Sequence, residues 1–201
     1  DVTWDDGTTW RNVYDGRGRV KEVRWYEPGV GYRTLASYTR SVAGPPRLGW
    51  ADVPALLGGM VDDRRPASAG KDLAVSVETT PGMPLLWIDG TKLHDIVRNL
   101  VENAVNYTPD GGAIDIGATV AAGRFRLTVA DTGHGIAPDD LGRVFERFYR
   151  VDKSRTRPGG TGLGLSIVKH LVQVLEGEVI VENQTAGGAL FTIDLPVERQ
   201  R

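Results

Sequence analysis

Apolar positions along this chain follow two periods, and the switch between them marks its elements. Residues 124–130 alternate, with Phe125, Leu127 and Val129 separated by polar neighbours, and predict a strand that ends at Asp131. Residues 113–120 predict its hairpin partner through Ala122-Gly123, and 73–78 alternate in the same way. Residues 85–88 read as a short buried strand after the break at Pro81 to Pro84, and 178–182 and 189–195 as a closing pair around Gly187-Gly188. Other stretches carry the helical period. Asp89 opens a helix to about Tyr107 with Leu93, Ile96, Val97, Leu100 and Ala104 on one face. Residues 163–175 predict a second, with Leu165, Ile167, Val168, Leu171 and Val172 apolar. Val53, Leu56, Leu57, Met60 and Val61 predict a third over 50–69 with Asp52 near its start, weakened by Gly58 and Gly59. Pro138, with Asp139 and Asp140 at the positive end, predicts a short helix carrying Leu141, Val144, Phe145 and Phe148.

The first 47 residues differ. Trp4, Trp10, Tyr14, Trp25, Tyr26, Tyr32 and Tyr38 crowd there, between turn signals at Asp5-Asp6-Gly7 and Asp15-Gly16-Arg17-Gly18. Runs 8–14 and 20–26 are β-branched and aromatic and predict a small β-hairpin unit whose aromatics pack together. Gly44-Pro45-Pro46 reads as a linker, dividing a β-rich segment, 1–47, from a domain over 48–201.

Composition narrows the classes. Of 201 residues, 40% are hydrophobic, enough for a real core. A net charge of −2 supplies no electrostatic attraction for nucleic acid. The absence of cysteine removes disulfides and thiolate metal sites, and no run of 18 apolar residues could span a membrane, so a cytoplasmic location is expected. The chain opens on Asp1 rather than methionine, which predicts a piece of a longer protein; any membrane anchor would lie outside it.

The candidate chemistry clusters around Asp131-Thr-Gly-His-Gly-Ile136. A carboxylate at a strand end can accept from an amino group, and two glycines one residue apart let backbone press against a flat ligand. The same spacing describes ordinary turns. Gly159-Gly-Thr-Gly-Leu-Gly-Leu165 leads into a helix, and free N–H groups at a helix start favour phosphate. No Lys-Ser/Thr follows, so it is not the P-loop of nucleotide-binding proteins. Between the two lies a basic stretch, 150–158, with Lys153, Arg155 and Arg157, read as a mobile loop. Asp95, Asn99, Asn103 and Asn106 share a stripe of the helix that precedes both. Asparagines four apart can offer two amide oxygens to Mg²⁺, or the stripe is a solvated face.

Together, Asn99-Leu-Val-Glu-Asn103-Ala, Asp131-Thr-Gly-His-Gly-Ile136, Phe145-Glu-Arg-Phe148-Tyr-Arg150 and Gly160-Thr-Gly-Leu-Gly-Leu165 resemble, in order, the N box, first G box, F box and second G box of sensor histidine kinase catalytic domains, within the wider superfamily of gyrase, heat-shock chaperone and mismatch-repair ATPases. The resemblance covers about 48–197. It implies an α/β (α+β) two-layer sandwich, a mixed sheet with helices on one face, holding ATP between helices and lid. Asp131 would accept from the adenine amino group, with Gly133, Gly135 and Ile136 lining the slot and Tyr107 flanking it. Asn103 would be the main Mg²⁺ ligand, with Asn99 beside it. Arg150 and Lys153 would approach the terminal phosphates, and Thr161, Gly162, Leu163, Gly164 and Leu165 would hold the phosphate chain.

The resemblance also sets the reaction class. Gyrase-like relatives carry a glutamate base where this chain has neutral Asn99, which disfavours hydrolysis and favours phosphoryl transfer; Glu102, about 100° round the helix from Asn103, is secondary. The implied partners are a dimerisation domain bearing the acceptor histidine and a response regulator receiver domain, in a homodimeric full-length protein. Departures exist. Asn106 stands where the family usually has Lys or Arg, and Leu175-Glu176-Gly177-Glu178 replaces the usual His-Gly-Gly turn. None of His94, His134 and His170 has the family's acceptor context of a following acid and Thr-Pro. A degenerate nucleotide-binding regulator is therefore the alternative, and a serine kinase of the anti-sigma type a third reading.

Overall fold

A computed structural model describes residues 2–3, 9–14, 20–27, 31–34, 46–64, 71–150 and 162–199. Its contacts divide the chain into two units, Asp1–Pro46 and Arg47–Arg201. The first is an antiparallel meander of β1 (Val2–Thr3), β2 (Thr9–Tyr14), β3 (Val20–Glu27) and β4 (Gly31–Thr34). β2 and β3 form the hairpin read from the sequence, with Trp10 opposite Trp25; the flanking β1 and β4 are too short to show a period.

The second unit comprises β5 (Gly49–Ala51), α1 (Val53–Arg64), β6 (Ala74–Thr79), β7 (Leu86–Ile88), α2 (Gly90–Tyr107), β8 (Ala113–Ala121), β9 (Arg124–Asp131), α3 (Pro138–Leu141), α4 (Gly164–Val174), β10 (Glu178–Asn183), β11 (Ala189–Pro196) and β12 (Glu198–Arg199). Five strands form a mixed sheet in the order β10-β11-β9-β8-β6, in which only β6 and β8 run parallel. Alternation in β8, β9 and β11 sends Ile114, Ile116, Phe125, Leu127, Val129, Phe191, Ile193 and Leu195 into the core. Leu93, Ile96, Val97 and Leu100 of α2 and Val168, Leu171 and Val172 of α4 are buried with them. The sheet's other face is polar, and Asp194 there pairs with both Arg124 and Arg126. The result is the two-layer α+β sandwich expected.

Two expectations need correction. The helix read over 50–69 starts only at Val53, because Gly49–Ala51 finds a strand partner in β7 and Trp50 stacks edge-on against Trp87 at 5.1 Å. Asp52 then caps α1, its Oδ1 accepting from the Ala55 N–H at 3.0 Å. The helix after Pro138 stops at Leu141, before Val144, Phe145 and Phe148. From Gly142 the chain runs in turns, and Phe148 takes a left-handed φ of 65° while its N–H donates to the Gly162 carbonyl at 2.9 Å. Phe145 still packs edge-on against Phe191 at 6.4 Å.

Two features outside the periodic pattern hold the elements in place. Lys71 sends its ammonium to the carbonyls of Val105 at 2.7 Å and Thr108 at 2.8 Å, capping a helix with no basic residue of its own in the last turn. At the β10–β11 turn, Gly188 (φ 90°) lies so close to β9 that a Cβ there would stand 1.8 Å from the Asp131 carbonyl oxygen. Its neighbour Gly187 (φ 98°) faces open space.

Lys71→Met removes the cap while keeping the aliphatic stem, and should lower unfolding free energy by about 1–3 kcal/mol in urea titrations. Gly187→Ala should cost roughly 1 kcal/mol, the price of the left-handed backbone alone. Gly188→Ala should cost clearly more, since it adds a collision with backbone; equal losses would mean that the turn can retreat from β9.

Candidate functional site

The alternation that buries Phe125, Leu127 and Val129 carries Asp131 onto the same helix-facing side, where it is only 4% exposed. Its Oδ1 accepts from the Gly133 N–H at 2.8 Å and the Ala189 N–H at 3.3 Å. No described residue donates to Oδ2, so one oxygen is committed to the loop and to β11 while the other has no such donor. Gly133 is glycine because a Cβ would stand 2.6 Å from the Tyr107 carbonyl oxygen and 2.7 Å from Asp131 Oδ1. His134 places Nδ1 3.2 Å from that same Tyr107 carbonyl, so its exposed ring ties the loop to the end of α2. Gly135 and Ile136 follow, both half-buried.

The polar stripe on α2 is not a solvated face at its centre. Asp95 and Asn99 are 7% and 8% exposed, Asn99 beside Gly164 at the start of α4 and Asp95 beside Arg98 at 3.4 Å. Asn99 Nδ2 donates to the Asp95 carbonyl at 2.7 Å, which turns Oδ1 towards α4, 3.3 Å from where a Cβ on Gly164 would lie. The side chain is thus oriented, neutral and without a proton-accepting role. One turn on, Asn103 is half-buried, and Asn106 and Tyr107 are exposed at the C-terminal end. The site side of α2 therefore offers amide oxygens, which suit a hard cation better than a soft one. Among the described residues there is no group of three or more His, Asp or Glu side chains that would hold a metal by itself.

The second glycine stretch closes the same region. Gly162 and Leu163 lead directly into α4, with Gly164 and Leu165 in its first turn. Leu163, at the cap position, provides no side-chain acceptor, so among the described residues no side chain caps the first N–H groups of α4. The hydrogen bond between Phe148 and Gly162 brings the stretch before Arg150 against this loop. In that stretch the Tyr149 hydroxyl donates to Asp140 at 2.5 Å, which holds the phenol above its usual pKa, and Arg143 lies 4.3 Å over its ring. Arg150 is half-buried. Lys153 and Thr161 lie outside the described residues, as does the loop read over most of 150–158.

Three residues at this site carry no motif. Asn183, the last residue of β10, brackets Ile136: its Oδ1 accepts the Ile136 N–H at 2.8 Å and its Nδ2 donates to the Ile136 carbonyl at 2.6 Å. Gln184 Nε2 donates to the Asp131 carbonyl at 2.8 Å. Lys71 fixes the end of α2, from which Tyr107 projects. All three act across 34 to 53 residues of sequence, and only pairing register could have brought them to notice. His94 lies 3.7 Å from Asp95 on α2, and His170 is half-buried on α4.

Comparison with known proteins agrees with this geometry. The family model described as histidine kinase-, DNA gyrase B-, and HSP90-like ATPase matches residues 88–199. The sensor-like histidine kinase SenX3 of Mycolicibacterium smegmatis is 38% identical over 152 residues, 75% of this chain and 39% of its own length. The sensor histidine kinase RppB of Synechocystis is 43% identical over 124 residues, 61% of this chain and 27% of its own length. The chain thus spans about two fifths or less of these relatives. Among solved structures, full-length ShkA in complex with AMPPNP superposes with a TM-score of 0.71 at 30% identity, over 82% of this chain and 34% of that one. Matched along more than half its length by the family model and carrying the four boxes in order, the chain belongs to the histidine kinase-, DNA gyrase B- and HSP90-like ATPase family, as an ATP-binding catalytic domain of the sensor histidine kinase type.

Proposed function

We propose that unit 47–201 binds ATP with Mg²⁺ and that the whole protein transfers the γ-phosphoryl group to a histidine on a dimerisation domain, from which a response regulator receives it. The observation that carries the nucleotide half is Asp131, a buried carboxylate whose Oδ1 is bonded by Gly133 and Ala189 while no described residue donates to Oδ2. That oxygen accepts from the adenine amino group, and Gly133, Gly135 and Ile136 supply the flat backbone against which the ring lies. Tyr107 covers the ring from the end of α2. The uncapped start of α4, at Gly162, Leu163, Gly164 and Leu165, directs N–H groups and the helix dipole at the phosphates. Thr161 joins them, and Arg150 and Lys153 approach the terminal phosphate.

Asn103 and Asn99 hold the cation, which when bound neutralises charge on the phosphates. The relation of Asn99 to Gly164 supports this, since its amide oxygen is aimed at the helix start where the phosphates lie. The same neutral side chain explains the choice of reaction. It cannot take a proton from water, so the bound phosphoryl group waits for a nucleophile brought by another domain. Catalysis then consists of positioning and charge neutralisation rather than acid–base chemistry within this unit. ShkA was crystallised in full length with AMPPNP, and SenX3 and RppB are named as histidine kinases; their likeness supports the same role here.

Calorimetric titration with a non-hydrolysable ATP analogue tests the reading. Asp131→Asn should cost about 1–3 kcal/mol of affinity, because the amide presents a donor to a donor; unchanged affinity would remove Asp131 from the adenine role. Asn103→Ala should weaken binding strongly when Mg²⁺ is present and little in EDTA. Equal losses in the two conditions would show that Asn103 is no metal ligand.

A further inference from the structure

We propose that Asn183 and Gln184, at the β10–β11 turn, are positioning residues for base recognition: they clamp the Asp131 loop so that its carboxylate reads the amino group of the purine. The proposal rests on the nucleotide reading above and goes beyond it by assigning the specificity of that site to two residues outside the four boxes.

The loop after Asp131 has few tethers of its own. Within residues 131–136 the carboxylate of Asp131 holds the Gly133 N–H, and Thr132 reaches back to Ala113 through backbone and hydroxyl. Beyond Gly133 the fixed points come from elsewhere. Asn183 makes both hydrogen bonds that the peptide groups of Ile136 offer towards it, one to the N–H and one to the carbonyl, at 2.8 and 2.6 Å. A side-chain amide suits this, since its oxygen accepts and its nitrogen donates from two neighbouring atoms. Gln184 bonds the Asp131 carbonyl at 2.8 Å and also reaches the Ala189 carbonyl at 3.4 Å. Ala189, the first residue of β11, returns an N–H to the Asp131 carboxylate at 3.3 Å. The turn itself is pinned by Gln184 N–H to the Gly188 carbonyl at 3.0 Å, and Gly188 rests directly on the Asp131 peptide. Both ends of the loop, Asp131 and Ile136, are therefore held by consecutive residues of one hairpin. The Gly133 N–H and the contact of His134 with Tyr107 hold the middle of the loop, and the hairpin holds both its ends, so loosening the hairpin frees the carboxylate to turn.

A reading group that must be aimed loses discrimination before it loses all affinity. A site built to bond an N–H rejects the analogue lacking it because its own polar group is then left unpaired. A loosened carboxylate can turn to water instead, and the penalty for the wrong base shrinks. Loss of a merely structural contact would lower stability and leave the ratio between bases unchanged.

The test measures dissociation constants of the full chain for ATP and for purine riboside 5′-triphosphate, which lacks the 6-amino group, with thermal melting as a control. In Asn183→Ala, ATP affinity should fall about tenfold and that of the analogue less than about threefold, narrowing the preference. Gln184→Met, which keeps the bulk and removes the donor, should move the ratio in the same direction by a smaller step. A ratio equal to wild type in both folded variants would overturn the clamp. If the wild-type chain itself shows no preference for ATP over the analogue, the adenine role of Asp131 fails, and the clamp with it.

Discussion

A carboxylate taken out of water needs partners, and the way Asp131 finds them organises the site around it. Burial of an unpaired carboxylate costs several kcal/mol, so at 4% exposure its hydrogen bonds are a condition of the fold. Two backbone N–H groups, from Gly133 and Ala189, satisfy one oxygen. They come from opposite directions, one from the loop just after the strand and one from the next strand of the sheet. Meeting them requires Gly133 to lie almost on the Tyr107 carbonyl and Gly188 to lie almost on the Asp131 peptide. The glycines of this region are thus the geometric consequence of bringing α2, β9 and the β10–β11 turn to one point.

The same economy governs α2. Among the described residues the buried polar side chains are Asp89, Lys92, Asp95, Asn99, Thr108 and Asp131, and all but the last belong to α2 or its two caps. Asp89 is structural: it caps the helix through the N–H groups of Thr91 and Lys92 and also accepts the Arg47 N–H at 2.6 Å, tying the start of the unit to the helix. Asn99 is different. Its amide is satisfied on one side by the Asp95 carbonyl, four residues back, and its oxygen is turned to the start of α4. Its amide spans the two helices at a depth where a polar group needs partners, and the oxygen turned to α4 is the one that the proposed cation would use.

Much of this was legible in the chain. Periodicity located the five strands of the main sheet and helices α2 and α4, because in each the burial alternates or clusters on one face, fully in β8, β9 and β11 and partly in β6 and β10. Of the four motifs, the two glycine-bearing ones sit at element ends, after β9 and before α4, where a backbone change has a local signature. What escaped was whatever depends on a distant partner. Gly49–Ala51 carries no strand signal and becomes one only because β7 is there to pair with it. Residues 142–148 have helical spacing, yet Phe148 is drawn into a left-handed turn by its bond to Gly162. The polar stripe of α2 fits solvent or a ligand equally well by its spacing, and only tertiary packing, with α4 beside Asn99, takes Asp95 and Asn99 out of solvent.

Lys71 shows why such distant partners matter for function as well as for fold. The family's usual cation at position 106 is here Asn106, and the end of α2 has no basic residue in its last turn. The exposed carbonyls there carry partial negative charge, which alone would disfavour a polyphosphate nearby. Lys71 answers that charge from the start of the preceding strand segment, binding the carbonyls of Val105 and Thr108. In doing so it spends its cation on the helix, so it does not replace the missing phosphate contact. Under the proposed function, positive charge for the terminal phosphate would come from the Arg150 side of the site, with Tyr107 and the amides of α2 facing the base and the cation. The two halves of a nucleotide would then fall to separate elements, one capped by Lys71 and the other reached through the turn between Phe148 and Gly162.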